Sequence, residues 1–335
     1  MTSSSTRTPI SASAQDGGHA GSPGAQTVSV VVAAHSEDRW PGIVNAIKGA
    51  QAQIPPPLEV ILVVDHNPAL AQRARTEISG VTTVENTDTR GASTTRNIGV
   101  ENSAGEIIVF LDDDQTPIRS DWISMLCRHF DDPLVLGVGG GLVPDWPDDI
   151  RPQWFPGEFD WVISTSYIGM PETVAPIRNV WGGNTAIRRS VFLSVGGFRS
   201  GFGKVGHVSR PEDTDLCLRI KKAHPSGVWL YDPDAEVLHL VPPQRSTRKY
   251  FLRRCWQEGR GKAALVQLVG PDGIESERDY TTKVLPRGLR RELRTAFRSR
   301  DVAALDRCGA IVIGFGTTAA GWVAEVAAIA ASRAR

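Results

Sequence analysis

Neither sign of charge predominates in this 335-residue chain: Lys and Arg number 37, and so do Asp and Glu. Binding to nucleic acid, which rests on a clear basic excess, is therefore not indicated. Paired cysteines are missing as well. Cys127, Cys217, Cys255 and Cys308 stand far apart without a CxxC pair, which argues against a disulfide framework or a zinc site and fits a reducing cytosol. Residues 1–26 lack the apolar core of a secretory signal. They are rich in Ser, Ala, Gly and Thr, have little to bury, and read as a disordered tail. No internal repeat is visible. The length and the 41% hydrophobic content allow one large domain, or a domain of about 200–250 residues with extensions.

What the chain does have is a set of apolar, β-branched runs. Residues 28–34, 59–64 and 106–111 are apolar almost throughout, as buried parallel strands are, and residues 81–84 make a shorter strand. Between them, residues 41–53, 69–78 and 92–102 have helical spacing, the first of these ended by Pro55, Pro56 and Pro57. Strand–helix alternation of this kind predicts an α/β fold with a mostly parallel sheet covered by helices. Ligands of such sheets bind beyond the carboxyl ends of the strands. His35, Ser36 and Glu37 follow the first run, Asp65 the second, and Asp112, Asp113 and Asp114 the third, so three polar clusters converge on one edge. Between residues 134 and 206 Gly and Pro become frequent, which predicts a looser half of short strands and loops.

Three adjacent carboxylates repel one another, and a hard divalent cation such as Mg²⁺ or Mn²⁺ relieves that repulsion. Alternation along an extended chain puts Asp112 and Asp114 on one side and Asp113 on the other. A solvated acidic turn, or a cap for a helix at Trp122, is the plainer role; the apolar strand just before the cluster favours the metal. A second acidic pair, Glu212 and Asp213, opens a helix whose apolar face carries Leu216 and Ile220. There the helix dipole stabilises a carboxylate, so capping is one role and general-base catalysis the other.

The order and spacing of VVVAAHSE at 30–37, EVILVVD at 59–65, GASTTRNIG at 91–99, IVFLDDD at 108–114, WGGNTAIRR at 181–189, GGF at 196–198 and PEDTDLCLR at 211–219 are specific together. They resemble the family 2 glycosyltransferases over residues 28–262, and the resemblance implies a GT-A fold, the Rossmann-like fold of nucleotide-diphospho-sugar transferases. It implies inverting, metal-dependent transfer from a UDP-, GDP- or dTDP-sugar to a hydroxyl of a glycan, lipid-linked or small-molecule acceptor, with Mg²⁺ or Mn²⁺ holding the departing diphosphate. Carried over residue by residue, Ala34, His35, Glu37 and Asp65 hold the base and ribose, with Arg96 near the base or phosphates and Asp113 in the donor set. Asp112 contacts ribose or metal, Asp114 ligates the metal, and His239 stands where many relatives carry a histidine near the metal or diphosphate. Trp181, Gly182, Gly183 and Asn184 line the donor-sugar and acceptor region, Asp213 is the base, and Glu212 is second choice. One departure is His66, where many relatives have a second acidic residue; it leaves the nucleotide open. Trp154, Trp161 and Trp181 could stack on a sugar or simply pack in the core.

The final quarter is basic. Arg245, Arg248, Lys249, Arg253, Arg254, Arg260 and Lys262, interleaved with Tyr250, Phe251 and Trp256, suit a helix that closes over an anionic donor or faces acidic lipid. Residues 283–300 carry Lys283, Arg287, Arg290, Arg291, Arg294, Arg298 and Arg300 against Glu292, with Leu285, Leu289, Leu293 and Phe297 at every fourth position. Such a basic amphipathic helix suits an anionic membrane surface; a solvated helix packed on the domain is the alternative. Residues 308–324 hold no charge but are rich in Gly, Ala and Thr, and Glu325 ends the run short of the roughly 20 apolar residues of a spanning helix. The organisation expected is a tail at 1–26, a GT-A domain at 27–262 and a helical extension at 263–335. The protein is expected in the cytoplasm, with peripheral contact at the inner face of the plasma membrane and a lipid-linked or cell-envelope acceptor. A nucleotidyltransferase would carry a Gly-rich basic loop after its first strand, and residues 33–37 have no Gly, Lys or Arg. A non-catalytic nucleotide- or glycan-binding module would not need Asp112, Asp114 and Asp213.

Overall fold

A computed structural model describes residues 26–200, 203–205, 208–270 and 275–333; the tail expected at 1–26 lies outside these but for its last residue. The apolar runs become β1 (Val28–Ala34), β2 (Glu59–Asp65), β3 (Thr82–Asn86) and β4 (Ile107–Asp112), paired in parallel in the order β3-β2-β1-β4. The crossovers are α1 (Trp40–Gln51), α2 (Pro68–Glu77) and α3 (Ala92–Glu101). Asn67 starts α2 by accepting the Leu70 N–H at 3.0 Å, with Pro68 in the first turn where its missing N–H does no harm. The strands are apolar throughout because both faces are covered. Val30, Val32, Leu62, Val64, Val109 and Leu111 pack with Ile43 and Ile47 of α1 and Leu70 of α2. Val31, Ile61, Val63, Ile108 and Phe110 form the other core face, with Val100 of α3. Each such side chain contributes about 1.5–3 kcal/mol by leaving water.

Beyond Asp112 the chain builds β5 (Gln115–Pro117), α4 (Trp122–Cys127), β6 (Val135–Asp145), β7 (Ala175–Ile177), β8 (Thr185–Arg188) and α5 (Arg189–Ser194). A small hairpin, β9 (Gly203–Val205) and β10 (Val208–Arg210), leads into α6 (Glu212–Ala223) and then β11 (Val228–Leu240). The nine-stranded sheet continues β4-β8-β6-β11-β5, with β7 also on β11; β5, β7 and β8 run against the other strands. The sheet is thus mixed but mostly parallel. Its antiparallel insertion, β8 beside β4, sets the loop before β8 next to the end of β4, where the carboxylates stand.

The last elements are α7 (Arg248–Val269), which is continuous through residue 262, then α8 (Glu275–Asp279), a π-helical turn at Tyr280–Val284, α9 (Leu285–Ser299) and α10 (Val302–Arg333). Arg300, left-handed at φ 52°, ends α9 and turns the chain into α10. The α10 helix lies along α7 so closely that a Cβ on Gly259 would overlap the Thr318 carbonyl oxygen. Phe155, Phe159, Phe251, Leu285 and Ile311 share one apolar cluster, so these helices and the 3₁₀ segment Gly157–Ile163 have a common core. By length and composition Val302–Ser332, at mean hydropathy 1.5, is apolar enough to cross a membrane.

Candidate active site

The carboxyl end of β4 meets the amino end of α6 through one buried guanidinium. Arg96, from α3, donates to Asp112 Oδ1 at 2.6 Å and Glu212 Oε1 at 3.4 Å. Burial alone would favour a neutral Arg96, but Asp112 and Glu212 outweigh it and raise the pKa above the ordinary value. Burial likewise opposes the charge on Asp112, and the adjoining Arg96 more than offsets it, so this carboxyl lies below its usual range. Glu212 is pushed up to about 7 by burial and by Asp213 beside it, against the pull of Arg96. Burial also raises Asp213, whose Oδ1 accepts the Thr214 N–H at 2.7 Å and hydroxyl at 3.4 Å; Oδ2 has no hydrogen-bond partner among the described residues. The α6 helix begins at Pro211 without a side-chain cap. Asp215, one residue past Thr214, is held by Arg219 at 2.8 Å and Arg199 at 3.2 Å and braces the scaffold.

Extended-chain alternation does not hold for Asp112, Asp113 and Asp114. The chain turns at Asp113 and Asp114, so these two share Arg39, at 2.5 and 3.1 Å, while Asp112 goes with Arg96. Burial pushes Asp113 up to about 7 against Arg39, and its Oδ2 is buried without a hydrogen-bond partner. Asp114 Oδ1 lies 3.7 Å from Nδ1 of His239, which β11 carries opposite Gln115. Burial lowers the His239 pKa, against Asp114, so the ring is neutral. A donor faces each ring nitrogen: Arg245 Nη1 is 3.2 Å from Nε2, and Gln115 Nε2 is 3.5 Å from Nδ1. Among the described residues no cluster of three or more His, Cys, Asp or Glu side chains is arranged to hold a metal by itself. The donor set nevertheless suits Mg²⁺ or Mn²⁺ bound together with a diphosphate, since such an ion takes one or two carboxylates from protein and completes its shell with phosphate oxygens and water.

A cavity of about 580 Å³ opens on Asp112 and His239; Asp113 and Asp114 lie behind its lining. Arg96, Asp112, Trp181, Gly182, Gly183, Glu212, Asp213 and His239 all line it. A Cβ on Gly183 would stand 2.6 Å from Asp112 Oδ2, so only glycine lets this loop pass the carboxylate. Farther in are Arg178, Lys262 and Glu277, with Glu277 bound by Arg178 at 2.9 Å and by Lys262. The far end is aromatic: Phe159, Trp161, Tyr167 and Tyr280, with Phe315 and Trp322 from α10.

Several other residues singled out by sequence lie off this cavity wall. Asn184 is left-handed (φ 56°) and buried, donates to Gly141 O at 2.7 Å and Ala235 O at 3.0 Å, and accepts from Trp122 Nε1 at 2.8 Å. Those bonds clamp β6, β11 and α4 together. Ala34 is buried at the end of β1, and His35 and Glu37 are exposed just beyond it. Asp65 accepts from Asn86 at 2.7 Å and from the Gly91 N–H at 3.0 Å, and faces His66 Nδ1 at 2.8 Å. Trp161 and Trp181 reach the cavity, whereas Trp154 packs on Phe155 and Phe251. Arg39, Gln115, Arg178 and Glu277 were not singled out from sequence, and Arg245 and Lys262 were named only within a basic stretch suited to an anionic donor or acidic lipid; the local signal for Arg39 is its place at the end of the loop after the first strand.

Residues 29–196 match the model of the family described as Glycosyl transferase family 2. The chain is 31% identical over 259 residues to the glucosyl-dolichyl phosphate glucuronosyltransferase of Haloferax volcanii, covering 76% of this chain and 81% of that protein. It is 27% identical over 177 residues to the succinoglycan biosynthesis protein ExoM of Rhizobium meliloti, covering 52% of each. The fold is similar to the solved mannosyltransferase PcManGT from Pyrobaculum calidifontis in complex with GDP-Man and Mn²⁺, with TM-score 0.57 and 16% identity over 89% of this chain and 87% of that one.

Proposed function

The chain belongs to glycosyl transferase family 2 and is a glycosyltransferase; from that premise we propose that it moves a sugar, with inversion, from a nucleotide-diphospho-sugar to a hydroxyl of a lipid-linked acceptor at the inner face of the plasma membrane. Asp213 is the base. It takes the acceptor proton as the acceptor oxygen bonds to the anomeric carbon and the bond from that carbon to the diphosphate oxygen breaks. The observation that carries this reading is the shared cavity, with Asp213 on the same wall as Asp112 and the Gly182–Gly183 loop. Burial fits Asp213 to the task, because a carboxylate with a raised pKa is a stronger base. Glu212, pushed up to about 7, is the second candidate.

Asp112 and Asp114 would hold Mg²⁺ or Mn²⁺, with His239 beside Asp114. When bound, the ion supplies positive charge to the departing nucleoside diphosphate. Arg96 and Arg39, held by carboxylates, and Arg245, held by His239, bring fixed positive charge to the same place and can turn to phosphate oxygens. The loop after β1 and Asp65 occupy the strand edge where the base and ribose of a UDP-, GDP- or dTDP-sugar would lie. The lipid-linked acceptor is supported by the aromatic far end of the cavity, built partly from α10, and by the relative that is named for a dolichyl phosphate sugar.

The test is calorimetric titration of the full chain with UDP, GDP and dTDP, each with and without Mn²⁺. The expected result is tight binding of one nucleotide, and only with the metal. No metal-dependent binding of any of the three overturns the metal-dependent reading.

A further inference from the structure

The structure leaves one row of charges without partners. Arg287, Arg290, Arg294 and Arg298 recur at helical spacing on α9, all exposed, and none makes an ion pair with a described residue. Together with Arg291 they line an open cleft of about 430 Å³ that contains no acid. Arg291, by contrast, is held by Glu158 at 3.1 Å and Glu292 at 2.7 Å. Like charges one turn apart destabilise a helix unless anions stand against them. In a chain of zero formal net charge, this row is a segregated patch.

Beside the patch the surface is apolar. Phe297 is 81% exposed near the end of α9 and Val302 is 73% exposed at the start of α10. Val312, Ile313, Phe315 and Val323 are exposed along α10. The inner face of α10 is covered by α7 and the aromatic cluster; among the described residues nothing packs on its outer face, which yet carries no charge between Arg307 and Glu325. Nucleic acid would match the arginines but not the Phe, Val and Ile beside them. A neutral bilayer would match the apolar residues but leave the arginines unpaired.

We propose that the α9–α10 hairpin is a docking surface for an acidic lipid membrane, with the arginine row on the phosphate headgroups and Phe297, Val302 and the outer face of α10 in the interface. The helix lies along the bilayer and does not cross it, because polar contacts tie it to the domain near both ends: Arg307 donates to the Gln153 carbonyl at 2.9 Å and Arg260 of α7 pairs with Glu325 at 2.6 Å. Phe315, on the same helix, is part-exposed and lines the cavity, so docking of α10 sets the acceptor cavity beside the lipid. Only this last step rests on the lipid-linked acceptor proposed above.

The test is co-sedimentation of the full chain with phosphatidylcholine vesicles, with and without phosphatidylglycerol. Binding is expected only with the acidic lipid and is released by salt. Replacing arginines by glutamine should weaken it about fivefold for each of Arg287, Arg290, Arg294 and Arg298, and several hundredfold for the four together. Phe297→Ser should weaken it roughly tenfold. Unchanged nucleotide binding shows that each variant is folded. Equal binding to neutral vesicles, wild-type binding by the fourfold variant, or binding to duplex RNA in place of vesicles overturns the proposal. Wild-type protein that stays on vesicles through high salt and alkaline carbonate overturns the interfacial placement. Vesicle binding with a failed nucleotide titration leaves the docking surface standing and removes the donor reading.

Discussion

Arg96 and Arg294 carry the same charge in opposite settings. Arg96 is buried and held by Asp112 and Glu212 from two elements; Arg294 is exposed on α9 and meets no acid among the described residues. A charge removed from water is tolerated only with its counter-charge in place, so a buried arginine must find its partners in the same chain. An exposed row pays no such desolvation penalty, and its partner can come from outside. The two regions therefore use arginine differently, one to hold a reaction site together and the other to meet a surface.

The sharpest way to break this contrast lies at the buried end. Asp213→Asn should lower turnover by about 10²–10⁴-fold and leave nucleotide affinity unchanged, measured by steady-state transfer beside calorimetry. Unchanged turnover would sink the base assignment. Arg96→Met should lower stability by about 3 kcal/mol or more in urea unfolding, because it leaves Asp112 and Glu212 buried without their cation.

The third effect is a pH dependence. Burial works against the charge on Glu277, but Lys262 and Arg178 overcome it and take the carboxyl from its ordinary 4.5 to about 2. A folded value below the unfolded one stabilises fully above about 4.5, and the benefit vanishes as pH falls toward 2. Thermal melts across that window should show about 2–3 kcal/mol of this loss in the wild type and not in Glu277→Gln. Smallest of all, Arg294→Gln should move urea stability by less than about 0.5 kcal/mol. A loss as large as that of Arg96→Met would erase the distinction between the two regions.

The sequence made the two regions legible to different depths. The strands β1, β2 and β4 could be read because burial on both faces demands unbroken apolar runs, and the carboxylates because they follow such a run or open a helix. What those carboxylates face was hidden. Arg39 is distant in sequence from Asp113, and only the strand order brings the two close, whereas Arg245 reaches back to His239 from six residues farther along the chain. The alternation rule misplaced Asp114, which joins Asp113 and not Asp112, because the chain turns there. Nothing local announced that the side chain of Asn184 would clamp three elements, since its partners come from β6, β11 and α4. The basic, amphipathic character of α9 was plain from spacing, yet the share of Phe315 and Trp322 in the cavity depends on which face of α10 packs inward.

The most direct test of the central claim is the anomeric configuration of the product relative to the donor, read by NMR of the transferred sugar. Direct displacement with Asp213 as base predicts inversion. Retention would contradict it, because it requires a second displacement and therefore a different set of residues on this cavity.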